Sequence, residues 1–165
     1  MDPIFKRVSV RKFAEKPIEN EKLERLLRAA MAAPSAGNQQ PWEFYVTTNP
    51  ETLAGLSQCS PYAKPTARAA LAIVPAMRTE GVHFPECAMQ DMSAATENIL
   101  LEAVQLDLGA VWQAVAPFDD RVEKVRAILD MPQNLEPFCI IALGYPAQAI
   151  PNQKDRFDED RIHLM

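Results

Sequence analysis

The chain has 165 residues, of which 48% are hydrophobic and 24% are charged, so we expect one globular domain spanning residues 1–165. A net charge of −5 excludes the broad positive field that nucleic-acid binding requires, so any anion site must be built from a few local cations. The apolar runs are too short to span a bilayer, and the N-terminus has no apolar core of signal-peptide length. We therefore expect no membrane association and a cytoplasmic location.

Helical and strand patterns alternate along the chain. Helices are predicted where apolar residues recur every three or four positions, and strands where short apolar or β-branched runs occur. In chain order, the predicted elements are a helix over 19–33, a strand over 42–48, a short helix over 51–58, a buried strand over 67–75, a polar connection over 77–85, a long helix over 86–108, a strand over 110–115, a helix over 119–130, a strand over 137–143 and a charged, extended tail over 145–165. This alternation indicates a layered α/β or α+β fold.

The long helix has more apolar surface than one packing face needs. Met92, Ala95 and Ile99 follow one stripe, while Leu101 and Val104 extend the apolar surface beyond it. A helix that is apolar around much of its circumference is covered on several sides. In so short a chain, we expect a second subunit to supply part of that cover.

Several common site types are excluded by the residue pattern. The three cysteines are far apart and none lies in a CxxC or Cys/His spacing, so neither a disulfide framework nor a metal site is predicted. The five glycines form no GxGxxG or GxxxxGK[ST] sequence, which excludes the usual dinucleotide and P-loop fingerprints. The two histidines match no nucleophile–base signature, so no catalytic side chain is predicted, as is typical of chemistry carried by a cofactor.

Two segments in the first quarter of the chain could bind a ligand. Arg7, Ser9 and Arg11 could hold an anion, because guanidinium groups match phosphate oxygens, although an exposed basic turn explains the same pattern. Ser35 and Asn38 follow the first helix and could present polar groups to a flat ligand. The alternative is an ordinary helix-terminating turn.

Two later segments carry similar alternatives. The strand end at 113–115 has small residues that could bring backbone N–H groups close to a ligand ring, or it could be core strand alone. Lys154 and Arg156 could complete an anion site, or they could belong to a solvated charged tail.

Together these segments resemble the nitroreductase family of FMN proteins. The resemblance runs from Arg7 to His163 and rests on six motifs in the same order, at residues 7–11, 33–42, 90–98, 108–112, 144–146 and 154–157. It implies an α+β, three-layer fold with a mixed, mostly antiparallel sheet flanked by helices. It also implies a homodimer formed through the long helix, with a C-terminal extension reaching across the partner.

The resemblance further implies a non-covalently bound FMN at the dimer interface. The implied contacts are Arg7, Ser9 and Arg11 at the phosphate and ribityl end, with Arg11 also near the pyrimidine edge of the ring, Lys154 and Arg156 at the phosphate, Pro34, Ser35 and Asn38 from the other subunit, and Gln113, Ala114 and Val115 along the isoalloxazine ring, with a backbone N–H near N5. The implied activity is hydride transfer from NAD(P)H through flavin N5 to a nitroaromatic, a quinone or a similar small acceptor, in ping-pong order.

Other activities remain open on the same residues. They are a flavin-dependent dehalogenase or flavin-degrading enzyme of the same fold, a non-catalytic flavin-binding module, and a structural protein without cofactor. Two departures from the family leave the acceptor unassigned. Met92 stands where the family often has cysteine, and the 77–85 connection is shorter than the helical insertions of larger relatives.

Overall fold

The computed structural model describes residues 2–165, and these form five strands and four helices in an α+β arrangement. The strands are β1 (Trp42–Thr47), β2 (Leu71–Arg78), β3 (Gly109–Ala114), β4 (Leu135–Pro137) and β5 (Cys139–Gly144), and the helices are α1 (Asn20–Met31), α2 (Pro50–Leu56), α3 (Ala88–Gln105) and α4 (Asp119–Leu129). No helix within residues 2–165 combines the length and apolarity needed to cross a membrane.

The five strands form one sheet in the order β1-β2-β5-β3, with β4 pairing β2 beyond the end of β5. Every strand pair is antiparallel. The one parallel element found in residues 2–165 is an isolated bridge between Ser9 and Ala110. The predicted mostly antiparallel sheet is therefore confirmed, and its parallel part is limited to the N-terminal segment beside β3.

Helices cover both faces of the sheet. Strands β2 and β5 are buried along almost their whole length, which requires cover on both sides. On one side α1 packs against α3, which lies on β2 and β3, and elsewhere α2 packs against α4, which contacts β4. This arrangement confirms the predicted three layers.

The prediction for β2 is wrong at both ends. The predicted strand covers 67–75, but the structure has a 3-10 turn over Lys64–Arg68, and β2 continues through Pro75 to Arg78. Pro75 lies where β2 changes its neighbour on one side from β5 to β4, and its carbonyl accepts a 2.8 Å hydrogen bond from the N–H of Phe138. A missing N–H is tolerated there because the ladder is already interrupted. The polar connection consequently begins after Arg78.

The other element boundaries lie within three residues of their predicted positions. The predicted strand 137–143 is split, because β4 ends at Pro137 and β5 begins at Cys139. The tail from 145 onward is extended and mostly exposed, apart from a 3-10 turn at Glu159–Arg161.

Candidate functional site

The first predicted motif lies along the free edge of β3. The N–H of Val10 donates a 3.0 Å hydrogen bond to the carbonyl of Ala110, next to the Ser9–Ala110 bridge. This close approach depends on Gly109, since a Cβ there would lie 2.6 Å from Val10 Cγ1. The segment that carries Arg7 and Arg11 is therefore held against the edge of the sheet.

Arg7 lies at a large cavity shared with the tail. Its Nε is 3.5 Å from Glu97 Oε1 on α3, and its carbonyl accepts a 3.1 Å hydrogen bond from Gln153 Nε2. The cavity, which we call the N-terminal cavity, has a volume of about 570 Å³ and is also lined by Val104 and Ile150. The structure thus brings the start of the tail to the first arginine of the motif.

Arg11 lines a separate, smaller concavity beside β3. This β3 cleft has a volume of about 290 Å³, and its walls include Lys64, Tyr62, Trp112 and Gln113. Arg11 and Lys64 are both exposed, so the cleft combines two cations with aromatic surface. Such a surface suits a flat ligand with an electron-rich edge.

Gln113 contributes an unpaired donor to this cleft. Its side chain is 3% exposed, and its Oε1 accepts a 2.6 Å hydrogen bond from Thr66 Oγ1. Its Nε2 is buried and has no hydrogen-bond partner among the residues that the structure describes. Buried amide groups are nearly always paired in proteins, so an unpaired one at the wall of the cleft is unusual.

The backbone of β3 offers further donors on the same edge. The carbonyl of Ala110 faces the N-terminal segment and not β5. Because successive residues of an antiparallel strand face opposite sides in turn, the N–H groups of Trp112 and Ala114 also face away from β5. The carbonyl of Ala114 accepts a 3.0 Å hydrogen bond from Arg121 Nη1, in agreement with this orientation. Val115 differs, since its side chain is 1% exposed and its N–H donates to the Phe138 carbonyl.

The loop after α1 is held in shape by a buried carboxylate. Asp91, on α3, accepts a 2.9 Å hydrogen bond from the N–H of Ala36 at Oδ1 and a 2.7 Å bond from Gln39 Nε2 at Oδ2. Within the loop, Ser35 Oγ accepts a 3.0 Å bond from the N–H of Gln40. Pro34 and Asn38 are exposed, and Asn38 has a positive φ of 53°.

One chain therefore carries the predicted site residues in separate places. Arg11 and Gln113 share the β3 cleft, and Arg7 lies at the N-terminal cavity. No hydrogen bond found in residues 2–165 joins the 34–38 loop to either place, and the loop lines neither cavity. Lys154 and Arg156 are exposed on the tail, and neither forms an ion pair with another described residue.

Two residues of this geometry were missed in the sequence. Lys64 joins the β3 cleft because the 3-10 turn that begins with it folds beside β3, and the pattern there predicts only the approach to a strand. Asp91 lies within a recognised motif, but its role depends on contacts made 55 residues away in sequence. No pattern in the neighbouring sequence predicts either arrangement.

A family model matches most of the chain. The model described as the nitroreductase family matches two overlapping segments, residues 4–81 and 58–145. The chain belongs to the nitroreductase family.

Nitroreductase-family relatives are similar over nearly their whole length. A protein of Methanothermobacter thermautotrophicus, assigned as an NADH dehydrogenase/NAD(P)H nitroreductase, is 40% identical over 99% of this chain and 85% of its own. The crystal structure of a Clostridium acetobutylicum protein assigned as an NADH oxidase is 48% identical, with a TM-score of 0.96 over 99% of this chain and 98% of that one. The FMN-dependent nitroreductase of Clostridium difficile is 31% identical, with a TM-score of 0.91 over 99% and 97% of the two chains. These relatives confirm the predicted fold, and the protein is an enzyme of this family.

Two departures from the nitroreductase pattern have structural counterparts here. Met92 is fully buried in the core, so a flexible apolar side chain fills the position where the family often has cysteine. The connection between β2 and α3 is short, and it places Phe84 against Gly37 of the loop after α1. Little chain is therefore available from this connection to cover a ligand.

Proposed function

We propose that this nitroreductase-family enzyme binds FMN and transfers hydride from NAD(P)H to a small flat acceptor, such as a nitroaromatic or a quinone, in ping-pong order. The observation that carries the proposal is the cleft in which Arg11 and Lys64 place two cations beside Gln113 and the free edge of β3. The FMN dependence of the Clostridium difficile relative supports the choice of cofactor.

The donor set of the β3 edge fits the chemistry of a flavin. The pyrimidine edge of the isoalloxazine ring presents acceptors, which match the cations of Arg11 and Lys64, the amide of Gln113 and the outward N–H groups of β3. The FMN phosphate carries about two negative charges. We propose that Arg7, Ser9, Lys154 and Arg156 hold this phosphate, since charge-assisted hydrogen bonds are roughly twice as strong as neutral ones. Residues 1–165 would then form one FMN-binding domain.

Bound FMN would supply the hydride-transfer chemistry, since amino-acid side chains do not accept hydride. The chain's own contribution is to orient the ring and to stabilise negative charge on its edge. Preorganised N–H donors and cations at a developing anion lower its free energy more than water does. The openness of the cleft supports a ping-pong order, because nucleotide and acceptor could then occupy the same place in turn.

We propose that a second copy of the chain completes this site. The 34–38 loop, with Pro34, Ser35 and Asn38, is separate from the β3 cleft in one chain. Apolar side chains that a partner would cover are exposed around the N-terminal cavity, including Phe5 at 71% and Ile150 at 45%, and at the tail end Leu164 at 94%. A homodimer formed at α3 would cover this surface and bring the loop to the opposite cleft.

A reducing, cytoplasmic setting agrees with the thiols. All three cysteines are free, and Cys59 and Cys139 are buried. Burial raises the pKa of both of these thiols, so they stay protonated and unreactive at neutral pH.

The proposal is tested by FMN titration followed by turnover assays. Quenching of flavin fluorescence measures affinity, and oxidation of NADH or NADPH with a panel of nitroaromatic and quinone acceptors measures activity. Arg11→Gln should weaken FMN binding about ten- to a hundredfold, because a charged hydrogen bond contributes about 1.5–3 kcal/mol. Its neighbour Lys12 is exposed and does not line the cleft, so Lys12→Gln is the matched control.

Two results would contradict the proposal. A purified protein that does not bind added FMN excludes the cofactor. A protein that binds FMN but oxidises neither nucleotide with any acceptor is a flavin-binding module rather than an oxidoreductase.

A further inference from the structure

A third concavity adjoins the β3 cleft. It has a volume of about 330 Å³ and lies between the segment after α2 and the first turns of α4. Pro61 and Lys64 line both this pocket and the β3 cleft, so the two spaces are neighbours. We call it the basic pocket, and its charged residues are Lys64, Asp120, Arg121 and Lys124.

The basic pocket has a positive excess in an acidic chain. It contains three cations and one carboxylate, whereas the whole chain has a net charge of −5. Arg121 donates to the Ala114 carbonyl and lies 3.9 Å from the Phe118 ring centre, and neither contact neutralises its charge. Lys124 Nζ lies 3.4 Å from Asp120 Oδ2 in a largely exposed pair, and such pairs are weak in water.

Lys64 connects this charge to the β3 cleft. It forms no ion pair with another described residue, and its position on the shared wall leaves it facing both spaces. Tyr62, which is 74% exposed, lines the cleft two residues before it. A ligand that extends from the β3 cleft past this wall would pass an aromatic ring and then meet the cations.

We infer that the basic pocket binds a phosphate group of NAD(P)H while the nicotinamide ring stacks on the flavin held in the β3 cleft. This inference rests on the proposed function. A pyridine nucleotide joins a flat ring to strongly anionic phosphates, and this order matches the order of the cleft and the pocket. The chain has no glycine-rich dinucleotide fingerprint, so side-chain cations must supply the phosphate contacts.

Lys124 is the residue for the test, because it lines the basic pocket and not the β3 cleft. In the FMN-loaded enzyme, Lys124→Gln should raise the KM for the nucleotide about three- to fivefold and leave kcat unchanged, as expected for an exposed ion pair made equally in ground and transition states. Lys124→Glu should raise the KM for the nucleotide further, and Lys124→Arg should keep this KM close to that of the unaltered enzyme. Added salt should reduce the differences among the variants.

Arg28→Gln is the matched control. Arg28 is an exposed cation whose guanidinium is 2.7 Å from Glu24 at i,i+4 spacing, so its removal changes net charge equally and breaks a similar pair outside the pocket. It should leave KM for both nucleotides unchanged.

The response to the two nucleotides identifies the phosphate. An equal rise in KM for NADH and NADPH assigns the bridging diphosphate, and a rise for NADPH alone assigns the 2′-phosphate. Unchanged KM values in Lys124→Glu, with normal FMN content and normal acceptor reduction by dithionite-reduced enzyme, would overturn the inference. Failure of the unaltered protein to bind FMN or oxidise NAD(P)H would instead overturn the proposed function.

Discussion

At the residue scale, Gly109 controls how closely the N-terminal segment approaches β3. A Cβ at this position would lie 2.6 Å from Val10 Cγ1 and 2.7 Å from Val10 Cβ. Val10 Cβ is fixed to its backbone, so the segment itself must move away. We expect Gly109→Ala to lower the free energy of unfolding by about 1–3 kcal/mol and to weaken FMN binding, as measured by urea unfolding and flavin titration.

Gly55 provides the control for this substitution. It lies in α2, and a Cβ there would meet Ile128 at 3.6 Å, an ordinary contact distance. Gly55→Ala should leave FMN affinity unchanged and raise stability by up to about 1 kcal/mol, since alanine favours helix. If Gly109→Ala also left FMN affinity unchanged, the position of Arg7 and Arg11 would not depend on this approach.

The sequence predicts individual site residues where a motif is local. Arg11 and Gln113 come from different motifs, and the structure brings them to one cleft. Lys64 was not predicted, because its proximity to β3 arises only when the turn after α2 folds against the sheet. Val115 lies in a predicted motif, yet its side chain belongs to the core, since the motif does not distinguish a ligand contact from a packing contact.

At the element scale, Tyr145 joins three elements at one end of the molecule. Its hydroxyl donates a 2.6 Å hydrogen bond to Glu19 Oε2 before α1 and accepts a 2.8 Å bond from Lys22 Nζ. Lys22 Nζ also donates to the carbonyl of Leu106, after α3. The hydrogen bond from Tyr145 lowers the pKa of Glu19, and the bond to Tyr145 raises the pKa of Lys22.

Tyr145→Phe should therefore destabilise the protein in a pH-dependent way. A lowered carboxyl pKa contributes stability above the unfolded value, about 4.3, and loses it as the pH falls through the folded value. A raised lysine pKa contributes stability below about 10.4 and loses it as the pH rises through the folded value. The difference in urea midpoint between the two proteins should thus be largest near neutral pH and smaller in acid and in strong alkali.

Tyr62→Phe is the matched control for this hydroxyl. Tyr62 is 74% exposed, and its hydroxyl makes no hydrogen bond to another described residue, so its removal should not change stability at any pH. A Tyr145→Phe effect that stayed constant across the pH range would show that packing of the ring, and not the charged bonds, stabilises this junction.

The boundaries of helices and strands are predicted well where a local pattern sets them and poorly where strand pairing sets them. The boundaries of α1 and α4 differ by two residues or fewer from those that apolar periodicity predicts. Pro75 predicts the end of a strand by its missing N–H, but β2 continues because its ladder is already interrupted there. The sequence pattern does not separate β4 from β5, since Pro137 ends β4 and also begins the apolar run over 137–143 that is predicted as one strand.

At the scale of the whole molecule, periodicity narrows the fold only to a layered arrangement of helices and strands. The sheet order depends on long-range pairings, such as Trp42 with Met77 and Gly109 with Gly144, which no local pattern encodes. The resemblance to a family implied a mostly antiparallel sheet flanked by helices, but it did not give the strand order. The dimer is likewise predicted by the resemblance and by excess apolar surface on α3, and its test is a solution measurement.

Val104 offers a direct test of the proposed dimer. It is half-buried on α3 and lines the N-terminal cavity, on the surface that a second copy would cover. Val104→Glu would place an unpaired carboxylate in that interface at a cost of several kcal/mol, which weakens association by more than about a hundredfold. Light scattering should give the unaltered protein twice the 18.4 kDa chain mass, and the variant the mass of one chain.

The same variant tests whether one chain can complete the FMN site. If the 34–38 loop comes from the second copy, Val104→Glu should lose FMN binding together with the dimer, while its far-UV circular dichroism stays native. Gln105→Glu, at the exposed neighbouring position, introduces the same charge and should preserve both properties. A protein that is monomeric at every concentration yet binds FMN fully would contradict the shared site. The separation of the 34–38 loop from the β3 cleft would then have to be closed by movement within one chain.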